Sequence, residues 1–178
     1  MKAKEIIKVI EDFAPLSIQE SWDNCGLCIG SPEDEVSSVL IGLDCTGELV
    51  DEAIRCGADM IVTHHPLIFS GLKKISPEDM VGAAVIKAVR AGICIYAAHT
   101  SADKVIAGVS GAMAARLGLT DIEILDEDGE GTGLGAVGNL PAPVTAQEAV
   151  SLVKERFSLR MIRTSAPIQG PVSRIAMC

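Results

Sequence analysis

The sequence predicts an α/β fold, a largely parallel or mixed sheet flanked by helices. Three observations carry this prediction. Between residues 36 and 118 apolar runs alternate with capped, amphipathic segments in the order strand, helix, strand, helix, strand, helix. The strand runs are apolar along their whole length, as strands covered on both faces are. The connections are short, which suits helices packed back onto neighbouring strands. Sheets of this kind place ligands at the carboxyl ends of their strands.

Each element has a local reason. Residues 3–13 carry Ile6, Ile7, Val9, Ile10 and Phe13 at helical spacing, and Pro15 ends that helix. A short strand follows at Leu27–Ile29, then a buried strand at Val36–Leu43. Thr46 is a helix N-cap, and the helix runs to about Arg55 with Gly57 as its stop. Met60–Thr63 is the next strand. Ser76-Pro77-Glu78-Asp79 combines a cap, a first-turn proline and carboxylates facing the positive helix end. That helix reaches Arg90 and stops at Gly92; Ile93–Ala98 is a fully apolar strand, and a helix from about Val105 to Leu117 ends at Gly118. The glycine-rich acidic stretch at 126–138 predicts a loop leading into a short strand near Ala136, and it is the best boundary between two lobes, 1–125 and 126–178. Thr145-Ala-Gln-Glu148 is a capping box for a helix to about Arg156, with last strands at Leu159–Arg163 and Ser173–Met177.

Composition excludes several functions. The 178 residues hold 15 Lys+Arg against 24 Asp+Glu, a net charge of −9, with no long basic cluster. That argues against a backbone-reading nucleic-acid partner, which needs positive charge to release counterions. Aromatics make up 3 %, too few for a base-stacking platform. No stretch reaches the ~20 apolar residues of a membrane span. The charges of the first eleven residues do not suit a signal-peptide core. Six cysteines occur at 25, 28, 45, 56, 94 and 178, mostly in apolar surroundings. Cys25-Gly-Leu-Cys28 has no second pair to complete a zinc or redox site, so a reduced, cytoplasmic protein is expected.

The chemistry collects at strand ends. His64 and His65 follow the strand at Met60–Thr63, and His99 follows Ile93–Ala98. Asp44 ends the strand before them, and Asp103 lies four residues after His99. Imidazole and carboxylate together suit zinc, iron or manganese. Neighbours in a regular strand point to opposite faces. A His-His pair therefore serves neighbouring ions only where the backbone leaves the pleat, and Pro66 fixes such an exit. Two ions bridged by a carboxylate such as Asp103 are a common hydrolytic device: they share a water, lower its pKa and clamp the leaving oxygen. A single His at a strand end is more often only hydrogen-bonded or solvated. A mononuclear iron site from two histidines and Asp103 is an open alternative. There is no GxxxxGK[ST] phosphate loop and no GxSxG elbow. Gly131-Thr-Gly133-Leu-Gly135 precedes a strand instead of following one, which argues against a dinucleotide site.

Five segments together resemble one family. They are Ser21-Trp22-Asp23-Asn24-Cys25-Gly26-Leu27, Leu43-Asp44-Cys45-Thr46, Thr63-His64-His65-Pro66-Leu67-Ile68-Phe69, His99-Thr100-Ser101-Ala102-Asp103, and Val137-Gly138-Asn139-Leu140-Pro141. In order and spacing they resemble the NIF-three-like group, the GTP cyclohydrolase type-two homologues, across essentially the whole chain. The resemblance implies a dinuclear centre of two divalent metal ions (zinc, iron or manganese). It gives His64, His65 and Asp103 as metal ligands and His99 as a nearby acid–base or supporting group, with Trp22, Asp23 and Asn24 lining the same cleft. It also implies homo-hexamers, a small-molecule substrate such as a nucleotide, and a hydrolase activity of the GTP ring-opening type. A non-catalytic metal-binding scaffold or regulatory protein is the alternative. The group's C-terminal His-xxx-Glu box has no counterpart: no His follows His99 and no Glu follows Glu155. The chain therefore reads as the N-terminal portion of such a protein, lacking the C-terminal half, with impaired catalysis expected of it alone.

Overall fold

The computed structural model describes residues 1–165 and 170–178. Its elements are α1 (Ala3–Phe13), β1 (Gly26–Ile29), β2 (Val39–Asp44), α2 (Gly47–Cys56), β3 (Met60–His65), α3 (Met80–Ala91) and β4 (Cys94–Ala97). The short turn α4 (Thr100–Asp103) and α5 (Val109–Leu117) follow, then β5 (Thr120–Gly129), β6 (Thr132–Val144), α6 (Ala146–Arg156) and β7 (Val172–Met177). Strands β1 to β4 form a sheet in the order β1-β4-β3-β2, with β2, β3 and β4 parallel and β1 antiparallel. Strands β5, β6 and β7 form a second, antiparallel sheet. The α/β fold with a mixed sheet and flanking helices is therefore present.

Two compact units share the chain, Met1–Ala102 and Asp103–Cys178. The expected lobe boundary at 125/126 falls inside β5 instead. The glycine-rich acidic stretch is no linker, because Asp126 pairs with Leu134 and Glu127 with Gly133 in the β5–β6 hairpin. Residues Leu159–Arg163 form no strand: Leu159 and Met161 are exposed and no neighbouring strand pairs with them among the described residues.

In the first unit the central strands β3 and β4 are packed on both faces. Ile61 and Ile95 join Val50, Ala53, Val85 and Ala88 of α2 and α3 on one face. Met60, Cys94 and Tyr96 meet Ala3, Ile6, Ile7 and Ile10 of α1 on the other. Fully burying one such aliphatic side chain contributes about 1.5–3 kcal/mol, so these strands are the fixed frame of the unit. Edge strand β2 departs from the expected full burial. Val39 and Ile41 register with Met60 and Val62, on the α1 side, yet Ile41 is 78 % exposed and Leu43 63 %. The apolar cluster around α1 holds residues of β3 and β4 but none of β2.

Helix ends follow their local signals. Thr46 caps α2 by accepting from the Leu49 backbone N–H. Gly57 ends it at φ 70°, a left-handed conformation that costs glycine little. Asp79, rather than Ser76, caps α3, accepting from the Gly82 N–H; the Ser76 hydroxyl accepts from the Glu78 N–H one turn earlier. Thr145 and Glu148 form the expected capping box of α6. In the second unit, Ala114, Leu117, Leu119, Ala136 and Leu140 make a separate small core between α5 and the antiparallel sheet. No helix among the described residues is long and apolar enough to cross a membrane.

Candidate metal centre

Because β2, β3 and β4 are parallel, their carboxyl ends share one edge of the sheet. Asp44 is the last residue of β2 and pairs with His65, the last of β3. Both adjacent histidines remain within β3, two residues beyond the Thr63 expected to end it. Their rings nevertheless come together, with centroids 4.8 Å apart. His99 follows β4 by two residues. Its ring centroid lies 5.2 Å from that of His64 and 5.4 Å from that of His65. One nitrogen from each of the three rings falls within 4.8 Å of the other two, a group able to hold a metal ion.

The second nitrogen of each ring is engaged in a way that fixes its role. His64 Nδ1 is 3.1 Å from the Ala98 carbonyl, His65 Nδ1 is 2.7 Å from Asp44 Oδ1, and His99 Nδ1 is 2.9 Å from Asp23 Oδ1. A carbonyl and two carboxylates only accept, so each Nδ1 donates a proton and the Nε2 of the neutral ring keeps its lone pair. Metal-binding histidines generally have this second contact. The supports differ in burial. The Asp44 and His65 side chains are 58 % and 46 % exposed, whereas Asp23 is fully enclosed and His99 is 16 % exposed.

Asp23 is the most heavily bonded side chain of the group. Besides His99, its carboxylate accepts from the Asn24 N–H at 2.7 Å, the Thr100 N–H at 3.0 Å, the Thr100 hydroxyl and the Cys25 thiol at 3.1 Å. Burial by itself would raise its pKa. The bonds donated by His99, Thr100, Cys25 and Asn24 outweigh that and hold the carboxyl well below the usual carboxylate range. Thr100 also accepts from the Glu20 N–H at 2.9 Å, and Gln19 Oε1 accepts from the Cys25 N–H at 2.9 Å. The loop at 19–25 is thus tied to the end of β4.

Around the histidines stand two exposed aromatic rings. Trp22 is 57 % and Phe69 53 % exposed, their centroids 5.9 Å apart, and each lies 6.3 Å from the His99 ring. Asn24 donates from Nδ2 to the Ile68 carbonyl at 2.6 Å. On the β2 side, a cavity of about 410 Å³ opens beside His65, lined by Asp44, Cys45, Thr46, Leu67 and Val81 among others.

Of the residues singled out from sequence, the His64, His65 and His99 rings lie together, Asp44 is bonded to His65 and Asp23 to His99, and Trp22 and Asn24 stand beside them. Asp23 is buried under His99 instead of lining open space. Asp103 closes α4 and is the first residue of the second unit. Phe69, Thr100 and the Ala98 carbonyl were not singled out; only the placement of Phe69 and Thr100 within the two histidine-bearing boxes hinted at them. The Cys25–Cys28 pair forms no metal group among the described residues. All six cysteines are free, and burial pushes the Cys28 thiol up to about 11 and Cys45 up to about 12.

Comparison with known proteins places the chain in a family. The profile of one family, Duf34/NIF3 (NGG1p interacting factor 3), matches residues 1–178. A Clostridium acetobutylicum protein named GTP cyclohydrolase 1 type 2 homolog is 37 % identical over 92 % of this chain and 62 % of its own length. One of the same name from Clostridium perfringens is 34 % identical over 99 % of this chain and 68 % of its own. The crystal structure of a Staphylococcus aureus hypothetical protein superposes with a TM-score of 0.92 at 27 % identity, covering 99 % of this chain and 71 % of that one. The chain thus spans about two thirds of the length of these relatives.

Proposed function

The chain belongs to the Duf34/NIF3 family, and on that basis we propose that it binds divalent metal and serves a metal-dependent hydrolase of the GTP cyclohydrolase type-two kind. One observation carries the reading: three imidazole nitrogens gathered within 4.8 Å, each ring steadied through its other nitrogen. The donor set fits zinc, iron or manganese, for which neutral imidazoles with a carboxylate are suitable ligands. In this reading His64 and His65 are ligands and Asp103 supplies the carboxylate. His99, whose ring lies beside both, is the nearby acid–base or supporting group. Two ions are the full complement. A bound divalent ion would polarise a substrate oxygen and acidify a water.

The chain's own residues would do the rest. Trp22 and Phe69 offer exposed ring faces to a flat heterocycle such as a purine. Asn24, its Nδ2 committed to Ile68, has Oδ1 left to accept a substrate N–H. Assembly into homo-hexamers is part of the same proposal, and light scattering of the purified chain tests it.

Elemental analysis after purification, and zinc titration of the stripped chain, test the metal reading. Wild type should retain divalent metal and His65→Ala should lose it; equal stoichiometry in the two would refute the assignment. A metal-binding scaffold without turnover is the second reading. The chain spans 62 % of the length of the Clostridium acetobutylicum relative. Metal-dependent loss of purine absorbance from GTP favours the hydrolase; tight metal without it favours the scaffold.

A further inference from the structure

We propose that the cavity beside His65 selects an uncharged substrate: a purine nucleoside, its base on the Trp22–Phe69 rings and its sugar hydroxyls in the cavity, in place of a nucleoside triphosphate. This rests on the hydrolase reading above and names its substrate class. The purine is the part such an enzyme acts on, and a nucleoside carries it as GTP does. The aromatic pair stands against His99, on the β4 side of the histidines. The cavity opens on the β2 side, beside His65 and Asp44. A base held on the rings with its reacting atom at the histidine edge therefore leaves its substituent to the cavity. At about 410 Å³ the cavity has the size of a small-molecule site, ~300–1,000 Å³.

Its walls decide what that substituent can be. Cys45, Leu67 and Val81 give apolar surface, and Asp44 and Glu48 give two carboxylates. None of the described residues lining it is lysine or arginine. Phosphate sites are made with such cations or with the open N–H groups of a helix start. A helix start is present, since α2 begins at Gly47 on the cavity wall. It is already satisfied from within the chain. Thr46 accepts from the Leu49 N–H. The Glu48 carboxylate accepts from its own N–H and the Thr46 hydroxyl, which hold it below the usual carboxylate range. Lys87 of α3 lies within electrostatic reach of Glu48, but the two Asp51 oxygens hold it at 2.8 and 2.6 Å and it does not line the cavity. A polyphosphate would thus face two carboxylates with no cation between. Sugar hydroxyls suit the same walls: Asp44 commits Oδ1 to His65 and keeps Oδ2 to accept from a hydroxyl.

Guanosine, GMP and GTP are titrated into the zinc-loaded chain, freed of excess metal, and read by Trp22 quenching. A bound ion attracts phosphate, so the test is made with metal against the expected order. Guanosine should bind roughly tenfold or more tightly than GTP, with GMP between. Raising salt should narrow the gap, because charges are screened beyond about 10 Å at 0.1 M ionic strength. Glu48→Gln removes one of the two charges and should narrow it about two- to fivefold, with thermal melts confirming the fold. GTP binding as tightly as guanosine, or a gap unchanged by salt or by Glu48→Gln, overturns the proposal and leaves the purine reading standing. Quenching by none of the three overturns both. A chain that takes up no zinc fails the metal reading, and the same titrations still judge the cavity.

Discussion

Thr100→Val isolates the tie between the loop at 19–25 and the sheet edge. Valine keeps the shape and branching of threonine and removes one hydroxyl. Thr100 is 5 % exposed, so water cannot replace what is lost. The hydroxyl donates to the Asp23 carboxylate and accepts from the Glu20 N–H at 2.9 Å. A hydrogen bond to a charged group contributes about 1.5–3 kcal/mol and a neutral one about 1 kcal/mol. The variant should therefore lose roughly 2–4 kcal/mol of stability in the first unit. Trp22 is the only tryptophan and sits in the affected loop, so its fluorescence follows urea unfolding at the right place. The midpoint should fall with the slope unchanged, since the surface exposed on unfolding is the same. Thr100→Ser, which keeps the hydroxyl, should recover most of the loss. A Thr100→Val shift below about 0.5 kcal/mol, within the range of ordinary surface changes, would refute the view that this hydroxyl anchors the loop.

Three further outcomes are expected. Thr46→Ala removes the cap that accepts from the Leu49 N–H at the start of α2 and should cost about 1 kcal/mol in urea unfolding; no measurable change would mean the helix end is held by packing alone. Phe69→Ala removes one ring of the exposed aromatic pair and should weaken a purine ligand by the stacking contribution, about 0.5–1.5 kcal/mol or roughly 2–13-fold, read from Trp22 quenching. Asp23 has a folded-state pKa below its unfolded value near 3.9. Its contribution is therefore complete above that unfolded value and is lost as pH falls through the folded one. The acid limb of the metal-free stability curve should accordingly flatten in Asp23→Asn, and an identical limb in both proteins would argue that other carboxylates set it.

Much of the helical structure was legible because its signals are local. Thr46, Gly57, Gly92 and the Thr145–Glu148 box mark helix ends through contacts within four residues, and the chain obeys them. The apolar runs of β3 and β4 announced strands packed on both faces. Pairing was not legible in the same way. The stretch Asp126–Gly138 reads as a loop from glycine and acid content, yet it is hairpin because its partners across the turn accept it. Ile41 reads as core from composition but is exposed, since burial depends on which strand lies at the edge.

The site divides along the same line. The His64–His65 pair is visible as two letters, and the sequence rule that neighbours face apart argues against their meeting. What brings His99 to them is the parallel register of β3 with β4, Thr63 opposite Ala97, continued by the Ala98 N–H donating to Thr63. The same continuation brings the Ala98 carbonyl to His64 Nδ1, so one turn of backbone both delivers the third imidazole and steadies the first. Asp23 reaches this edge from 76 residues away in sequence, and no periodicity could have announced it. The loop at 19–25, without regular structure over the Trp22–Asn24 stretch, is therefore as much a part of the candidate centre as the strands are. Its bonds to Thr100 and His99 tie the third ring to the loop.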